Sequence, residues 1–266
     1  MSAQVAVVFV LTFVIHLIST LSYAVRIAGV RTGRIAVSFA IFNVLVLVSR
    51  TSNTFQGPLL AKHVEQNILE NTIAGIEADL RWLLLAATLA SAVGLLLIPT
   101  FQRLFSRAIE NLGTYRSVPS LLFKALSPSG LHHIRSAASI PAKQNLTRLS
   151  LRQAPKKILL YNTLATALLT VGVFASLYAG CLKPELRVTA NNLSPVVNAL
   201  STILLFVFID PYLSLLTDDV TQAHASEAHF RRCIVLFAVS RLVGTVLAQL
   251  VLIPGARMIV VVAELL

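Results

Sequence analysis

The chain has few charged residues, and acids are scarcer than bases. Asp and Glu number 11 in 266 residues against 22 Lys and Arg, and charged residues make up 12% of the chain. With 56% apolar residues and a mean hydropathy of +0.79, the composition excludes an ordinary soluble globular protein. It is typical of a polytopic membrane protein.

Aromatic residues are also scarce, at 7% of the chain. Single-stranded nucleic acid is usually bound by a surface that interleaves aromatic and basic side chains, and no such pattern occurs here. We therefore predict no nucleic-acid partner, although the formal net charge is +11. In so apolar a chain, this charge indicates the cytoplasmic face of a membrane and anionic membrane lipids as partners.

Motifs for nucleotide hydrolysis and for metal binding are missing as well. No G-x-x-x-x-G-K-[ST] segment occurs. His132 and His133 are adjacent and would point apart on a helix, while His224 and His229 are five residues apart, which is poor spacing for metal ligands. We predict no metal, no other cofactor and no catalytic residue.

Six apolar runs are each long enough to cross about 30 Å of hydrocarbon, which takes roughly 20 residues. The first run, 1–25, lacks a preceding positive region and is longer than a signal peptide needs, so we expect it to remain as a span. The others lie at 35–57, 81–101, 158–180, 194–216 and 233–253.

These runs predict an all-α fold, a polytopic membrane protein with six transmembrane helices and one long basic cytoplasmic loop. Helices one to three occupy 1–101, the loop occupies 102–157, and helices four to six occupy 158–266, all in one integral membrane domain. Gly57 and Pro58 are predicted to break the second helix. The tail after Pro254 is expected either to lie at the interface or to extend the sixth helix.

The distribution of Lys and Arg predicts the orientation. Bases collect at 26–34 and throughout 102–157, where Glu110 is the single acid, so both connections are placed in the cytoplasm. Both termini are then outside, as are the mixed-charge connections. Cys181 and Cys233 fall near opposite membrane faces, too far apart for a disulfide within one chain. The proline breaks in 102–157 predict short interfacial helices, which serve either topology or recruitment of anionic lipid headgroups.

Polar residues within the spans are expensive in hydrocarbon and normally face a cavity or a partner. Counting about 1.5 Å per residue places His16 and Asn43 near the membrane midplane and Arg50 toward the outer leaflet. Asn43, Arg50 and Thr54 share one helical face because they are seven and four residues apart. Asn53 and Gln56 continue this polar strip, as the sequence shows.

Asp210 and Arg241 are predicted at matched depth, about 9 Å and 12 Å from the inner ends of the fifth and sixth helices. At matched depth, they could pair. A structural ion pair and a gating role remain equally open for them.

Three arginines, Arg26, Arg31 and Arg34, lie between the first two spans. With Arg50 they form a ladder for an anion, since guanidinium groups match the oxygens of phosphate with a planar fork of donors. The alternative for the inner cluster is a simple topology signal. The small residues at 28–29 and 32–33 favour a site, because they let backbone N–H groups approach an anion.

Two stretches, "RIAGVRTGRIAVSFAIFN" at 26–43 and "SRTSNTFQGPLLAKHVE" at 49–65, are similar to the Amj family of lipid II flippases, the alternate to MurJ. The resemblance extends through the chain in length, span number and the basic loop. It implies a transporter in the cytoplasmic membrane of a bacterium that moves lipid II, the undecaprenyl-pyrophosphate-linked peptidoglycan precursor, from the inner to the outer leaflet in cell wall synthesis.

The ladder and the resemblance together suggest a mechanism. Arg26, Arg31 and Arg34 would capture the pyrophosphate at the inner face, and His16 and Asn43 would line a hydrated cavity. On the outer side, the headgroup would be received by Arg50, Asn53 and Gln56. The energy would come from consumption of the product or from an ion or voltage gradient, with His16 or Asp210 as the titrating group.

Two alternatives stay open. One is a membrane-embedded hydrolase of polyprenyl pyrophosphate that uses the acid and base groups of His63, Glu65 and Glu70. The other is a non-catalytic scaffold that recruits cell-wall enzymes through the 102–157 loop. A homodimer agrees with the general habit of closed symmetry, but no residue pattern indicates one.

Overall fold

The computed structural model describes residues 3–70, 72, 75–115 and 154–266. Within this part of the chain every regular element is helical, and six helical spans are long and apolar enough to cross a membrane, as predicted. Four are α1 (Ala3–Thr32), α2 (Ile35–Leu69), α3 (Ile76–Tyr115) and α4 (Lys156–Leu182). The last two are α5 (Pro184–Thr221) and α6 (Glu227–Leu265).

Helix ends follow local chemistry. Gly33, with φ +67°, occupies the left-handed region that lets the chain turn sharply between α1 and α2. α4 ends at Leu182 because Lys183 precedes a proline and takes extended backbone angles, φ −136° and ψ 89°. α6 begins after Ser226, whose side chain accepts a hydrogen bond from the His229 N–H at 3.2 Å.

Two predicted helix boundaries are wrong. α2 does not break at Gly57 and Pro58 but continues to Leu69. Membrane helices tolerate an internal proline, since nearby Ser and Thr side chains re-satisfy freed backbone groups.

α3 likewise passes the boundary predicted at 101 and continues through Pro99 to Tyr115. The basic loop therefore begins later than the sequence indicated. Short interfacial helices were predicted for 102–157. Residues 116–153 of this segment, including His132 and His133, lie outside the described residues. At the C-terminus α6 continues through Pro254 to Leu265, which confirms the extension of the sixth helix.

α5 is built from several pieces. A 3-10 turn at Pro184–Leu186 and two short helices lead to a π-helical segment, Leu204–Ile209, and then to an α-helix over Asp210–Thr221. Pro211 lacks an N–H and its ring crowds the preceding turn, so a widened π turn ahead of it relieves the conflict. The irregular backbone lies directly before Asp210.

Two sets of buried apolar side chains hold the bundle together at its two ends. One set joins the start of α1 to the end of α2, the start of α3 and the end of α4, through Val5, Leu60, Leu80 and Leu177. The other set includes Tyr23, Ile98, Ala165 and Phe237. Successive helices therefore run in opposite directions, as the alternating topology predicted.

The end of the bundle that contains Tyr23 and Phe237 carries the α1–α2 turn, the start of α4 and the α5–α6 connection, and we call it the basic end. We call the other end, which contains Val5 and Leu60, the opposite end. α1 packs mainly against α2 and α3, and α4 packs mainly against α6. Glycines allow the closest helix approaches. A Cβ built on Gly244 of α6 would lie 2.6 Å from the Thr163 carbonyl oxygen of α4.

Substitution of Gly244 by Ala should lower the thermal denaturation midpoint of the purified protein. The added methyl group would press on backbone that cannot rotate away, and such overpacking costs about 1–3 kcal/mol. Gly57→Ala is the matched control, because a Cβ at Gly57 meets nothing within 4 Å. The control should keep or slightly raise the midpoint, since Ala favours helix over Gly by up to about 1 kcal/mol. Equal midpoints for the two variants would contradict the tight α4–α6 contact.

Candidate functional site

Two exposed arginines flank the turn between α1 and α2. Arg31 lies in the last turn of α1, and Arg34 immediately precedes α2. The turn is fixed by backbone hydrogen bonds in which the Gly33 N–H donates to Val30 at 3.1 Å and the Arg34 N–H donates to Gly29 at 3.2 Å. Both guanidinium groups project from the surface, and neither belongs to an ion pair in the described part of the chain.

Arg26 does not join this exposed pair. Its Nη2 atom lies 3.2 Å from Oδ1 of Asp210 on α5, and its side chain is only 18% exposed. The guanidinium carbon also lies 6.0 Å from the ring centres of both Phe39 and Phe42. The prediction of a single three-arginine cluster is therefore wrong, because Arg26 points into the helix bundle and its charge is already compensated.

The small residues of the turn have a different role from the one predicted. Ala28 and Gly29 are buried, and a Cβ on Gly29 would lie 2.3 Å from Oγ of Ser38 on α2. They bring α1 and α2 into close contact rather than exposing backbone N–H groups to an anion.

The predicted Asp210–Arg241 ion pair is also wrong. Asp210 pairs with Arg26 instead, and Nε of Arg241 is buried without a hydrogen-bond partner. Depth alone was the basis of the prediction, and α1 supplies a competing arginine at the same end of the bundle. The positions of Asp210 and Arg241 on two helices could not show that a side chain on a third helix competes for Asp210.

Arg241 lies instead beside two buried residues of α1. It acts electrostatically on both His16 and Tyr23. The Tyr23 hydroxyl donates a long hydrogen bond, 3.5 Å, to Oδ1 of Asn162 on α4. The Asn162 amide in turn donates to Oγ of Ser240 at 2.8 Å, which links α1, α4 and α6 through polar side chains.

The exposed face of α2 carries the remaining predicted polar residues. Asn43, Arg50, Asn53 and Thr54 are all exposed, and Arg50 makes no ion pair with any described residue. In the most apolar 18-residue stretch of α2 only 6% of the residues are buried, against 33% in the corresponding stretch of α1 and 50% in that of α3. We call this surface the α2 face. Since α2 is longer than predicted, Arg50 lies near the middle of the helix rather than toward one end.

Two predicted members of the site lie elsewhere. His16 is buried within the bundle, at 7% exposure, so it does not share a cavity with Asn43 on the α2 face. Gln56 is buried too, and its Nε2 donates to Oγ1 of Thr12 on α1 at 3.0 Å. The helical period placed Gln56 near Asn53, but it could not show that α1 covers Gln56 and leaves Asn53 exposed.

At the opposite end the structure contains a cavity of about 180 Å³ that the sequence did not indicate. It lies between α2, α4 and the first turns of α5, and its polar lining includes Glu65, Arg187, Asn191 and Asn192. The Arg187 guanidinium lies 3.4 Å from the Glu65 carboxylate. The adjacent asparagines of the short 181–193 connection were the only available signal.

The acid and base groups considered for a hydrolase do not converge. His63 bonds to Asp79 on α3, with Nε2 to Oδ2 at 2.9 Å, while Glu65 pairs with Arg187. Among the described residues no three His, Cys, Asp or Glu side chains are grouped as metal ligands. Cys181 and Cys233 are both free.

Comparisons with known proteins agree with this interpretation. The family described as Amj, alternate to MurJ, matches residues 11–263. A relative from Bacillus subtilis (strain 168), named lipid II flippase Amj, is 38% identical over 256 residues, covering 96% of this chain and 95% of the relative. No solved structure matches the chain. The resemblance predicted from residues 26–43 and 49–65 is thus confirmed, and the chain belongs to the Amj family.

Proposed function

We propose that this protein is a lipid II flippase that moves the pyrophosphate-linked headgroup along the α2 face, from the inner to the outer leaflet of the bacterial cytoplasmic membrane. The name of the Bacillus subtilis relative supports the substrate. Within this structure, the observation that carries the proposal is the exposed Arg50 in the middle of α2, with no acid to neutralise it.

An arginine facing lipid hydrocarbon is costly, about 2.5–3.5 kcal/mol on insertion scales. A protein retains such a residue when something polar covers it during function. The pyrophosphate of lipid II is a suitable partner because guanidinium groups bind phosphate oxygens through paired hydrogen bonds. Arg50 would then stabilise the headgroup at the depth where the membrane opposes it most.

The spacing of the polar residues provides a sequence of contacts. Arg31 and Arg34 offer two uncompensated charges at the basic end, where the headgroup would first bind. Asn43 lies about 14 Å further along the chain from Arg34, and Arg50 lies about 10 Å beyond Asn43. Asn53 follows one turn later. The polyprenyl tail stays in lipid beside α2, since this face is open to the membrane.

The cavity at the opposite end offers a place for the sugar and peptide parts of the headgroup after transit. Its amide groups, on Asn191 and Asn192, can donate and accept hydrogen bonds with hydroxyl and peptide groups. Glu65, near the end of α2, lines this cavity and is exposed. The chain has no nucleotide-hydrolysis motif, so the driving force would come from product consumption or an ion or voltage gradient.

Asp210 gives Arg26 a conditional role in capture. In this structure the Asp210 carboxylate pairs with the Arg26 guanidinium group and neutralises its charge. A pyrophosphate at the basic end would compete with Asp210 for Arg26, and the π-helical segment before Asp210 gives α5 an irregular turn where the carboxylate can move. Arg26 therefore contributes only when Asp210 is displaced.

Replacement of Arg50 by Ala should lower leaflet exchange of labelled lipid II by about tenfold or more, since a hydrogen bond to a charged group contributes about 1.5–3 kcal/mol. The measurement uses vesicles that contain only the purified protein. Arg257→Ala is the matched control, because Arg257 is an exposed arginine of α6 away from the α2 face. It should exchange lipid II at the parent rate.

Phosphate release is followed in the same vesicles. Release of phosphate by the parent protein would favour the hydrolase, and absence of both signals would favour the scaffold. Arg50→Ala vesicles that exchange lipid II as fast as the parent would contradict the route along the α2 face.

Asp210→Asn should lower the thermal denaturation midpoint, since it leaves Arg26 without its counter-charge. We expect a loss of about 1–2 kcal/mol, below the 3–5 kcal/mol typical of buried pairs, because the Asp210 side chain is 40% exposed. The double variant Arg26→Gln/Asp210→Asn should recover part of this loss, since no uncompensated charge remains.

Asp218→Asn is the control, because Asp218 is exposed and belongs to no ion pair in the described part of α5. If Arg241→Gln rather than Arg26→Gln recovered the denaturation midpoint of Asp210→Asn, the result would contradict the Arg26–Asp210 pair and support the Asp210–Arg241 pair that the sequence predicted.

A further inference from the structure

Arg241 carries a positive charge that no ion pair among the described residues compensates, and its side chain is partly buried in the helix bundle. This residue is 14 positions after Glu227, where α6 begins, which places it about 21 Å along the helix. Its Nε atom is buried and has no hydrogen-bond partner. An arginine side chain stays protonated in proteins, so the group cannot escape the cost of burial by becoming neutral.

No carboxylate side chain of the chain neutralises Arg241. All eleven Asp and Glu residues of the sequence lie in the part that the structure describes. The ion pairs there join other groups, and Asp210, the predicted partner of Arg241, is taken by Arg26. The counter-charge must therefore come from outside the chain.

The surface of α1 beside Arg241 presents two further polar groups. His16 and Tyr23 are each 7% exposed and lie seven residues apart, so they share one face of α1 about 10 Å apart. Nδ1 of His16 is buried without a partner. The Tyr23 hydroxyl has only the 3.5 Å hydrogen bond to Asn162, which is too long to be strong.

We propose that Arg241, His16 and Tyr23 form a binding site for a small monovalent anion of the halide class, with chloride as its occupant. The Arg241 Nε–H needs an acceptor, the Tyr23 O–H has only the long bond to Asn162, and a histidine nitrogen donates in the appropriate tautomer. A water molecule would satisfy the hydrogen bonds but leave the charge in place. An anion satisfies both requirements.

The packing around the site limits the size of the ligand. Thr20, fully buried, lies between His16 and Tyr23 on α1, and α3 presses on it so closely that a Cβ on Gly94 would lie 2.8 Å from the Thr20 Cβ. A lipid-linked headgroup does not fit against this wall. The substrate follows the exposed α2 face, whereas the anion site lies in the interior of the bundle and serves to neutralise it.

The test measures the thermal denaturation midpoint of the purified full-length protein at constant ionic strength, while chloride or bromide replaces gluconate. A ligand that binds only the folded state raises the midpoint in a saturable manner. We expect this rise for the parent, its loss in Arg241→Gln, and a rise at higher halide concentration in Arg241→Lys. Arg103→Gln, which changes an exposed arginine of α3, should respond like the parent.

Three results would overturn the proposal. They are a parent midpoint that does not depend on the anion, an Arg241→Gln protein that responds like the parent, and stabilisation by inorganic phosphate but not by halide. A second measurement needs no variant and covers the case in which Arg241→Gln does not fold. Anomalous scattering from crystals of the parent grown in bromide should place a bromide between Arg241 and His16, and bromide found only elsewhere would also overturn the proposal.

Discussion

A charge in the hydrocarbon of a membrane has no water to solvate it, and this cost determines where the charged residues of this bundle lie. Most of them lie at the two ends. Arg26, Arg50 and Arg241 are the arginines placed further inside, and each is treated differently. Arg26 is paired with Asp210, Arg50 is exposed on the α2 face, and Arg241 is partly buried beside His16 and Tyr23. The three arginines correspond to an internal ion pair, the surface proposed for transport and the proposed anion site.

Close helix packing makes these separate environments possible. Between membrane helices there is little hydrophobic driving force, so small residues and interhelical hydrogen bonds hold the helices together. Gly29 lets α1 approach α2, and Gly94 lets α3 approach α1 at Thr20. The Asn162 amide then connects α4 to α6 through Ser240. With one side of α2 packed on α1, its other side is left open, and this open side is the α2 face.

Irregular backbone is concentrated where charges are held. The π-helical segment Leu204–Ile209 ends directly at Asp210, so the carboxylate that neutralises Arg26 sits at the junction of two helical geometries. Such π segments are frequent at functional sites because they shift side chains relative to a regular helix. In the proposed function, capture of an anion at the basic end would displace this carboxylate from Arg26.

The sequence by itself determined the all-α class, the six spans, their alternating direction and the family, because apolar runs of about 20 residues and local sequence motifs are properties of neighbouring residues. It also placed Asn43, Arg50 and Thr54 on one face of α2, since the helical period is fixed. Helix ends were less determined, as Pro58 shows, because the surroundings decide whether a proline ends a helix or is accommodated within it.

Only the tertiary structure decided which helices touch. The partner of Asp210 is Arg26 on α1 rather than Arg241, and the depth of residues on two helices cannot reveal a competing arginine on a third. Burial of Gln56 against Thr12 and exposure of Asn53 were equally beyond the sequence, although the two residues are three positions apart. The physical reason is that an ion pair or a buried amide depends on side chains far apart in the chain, and their meeting is fixed by how the helices pack.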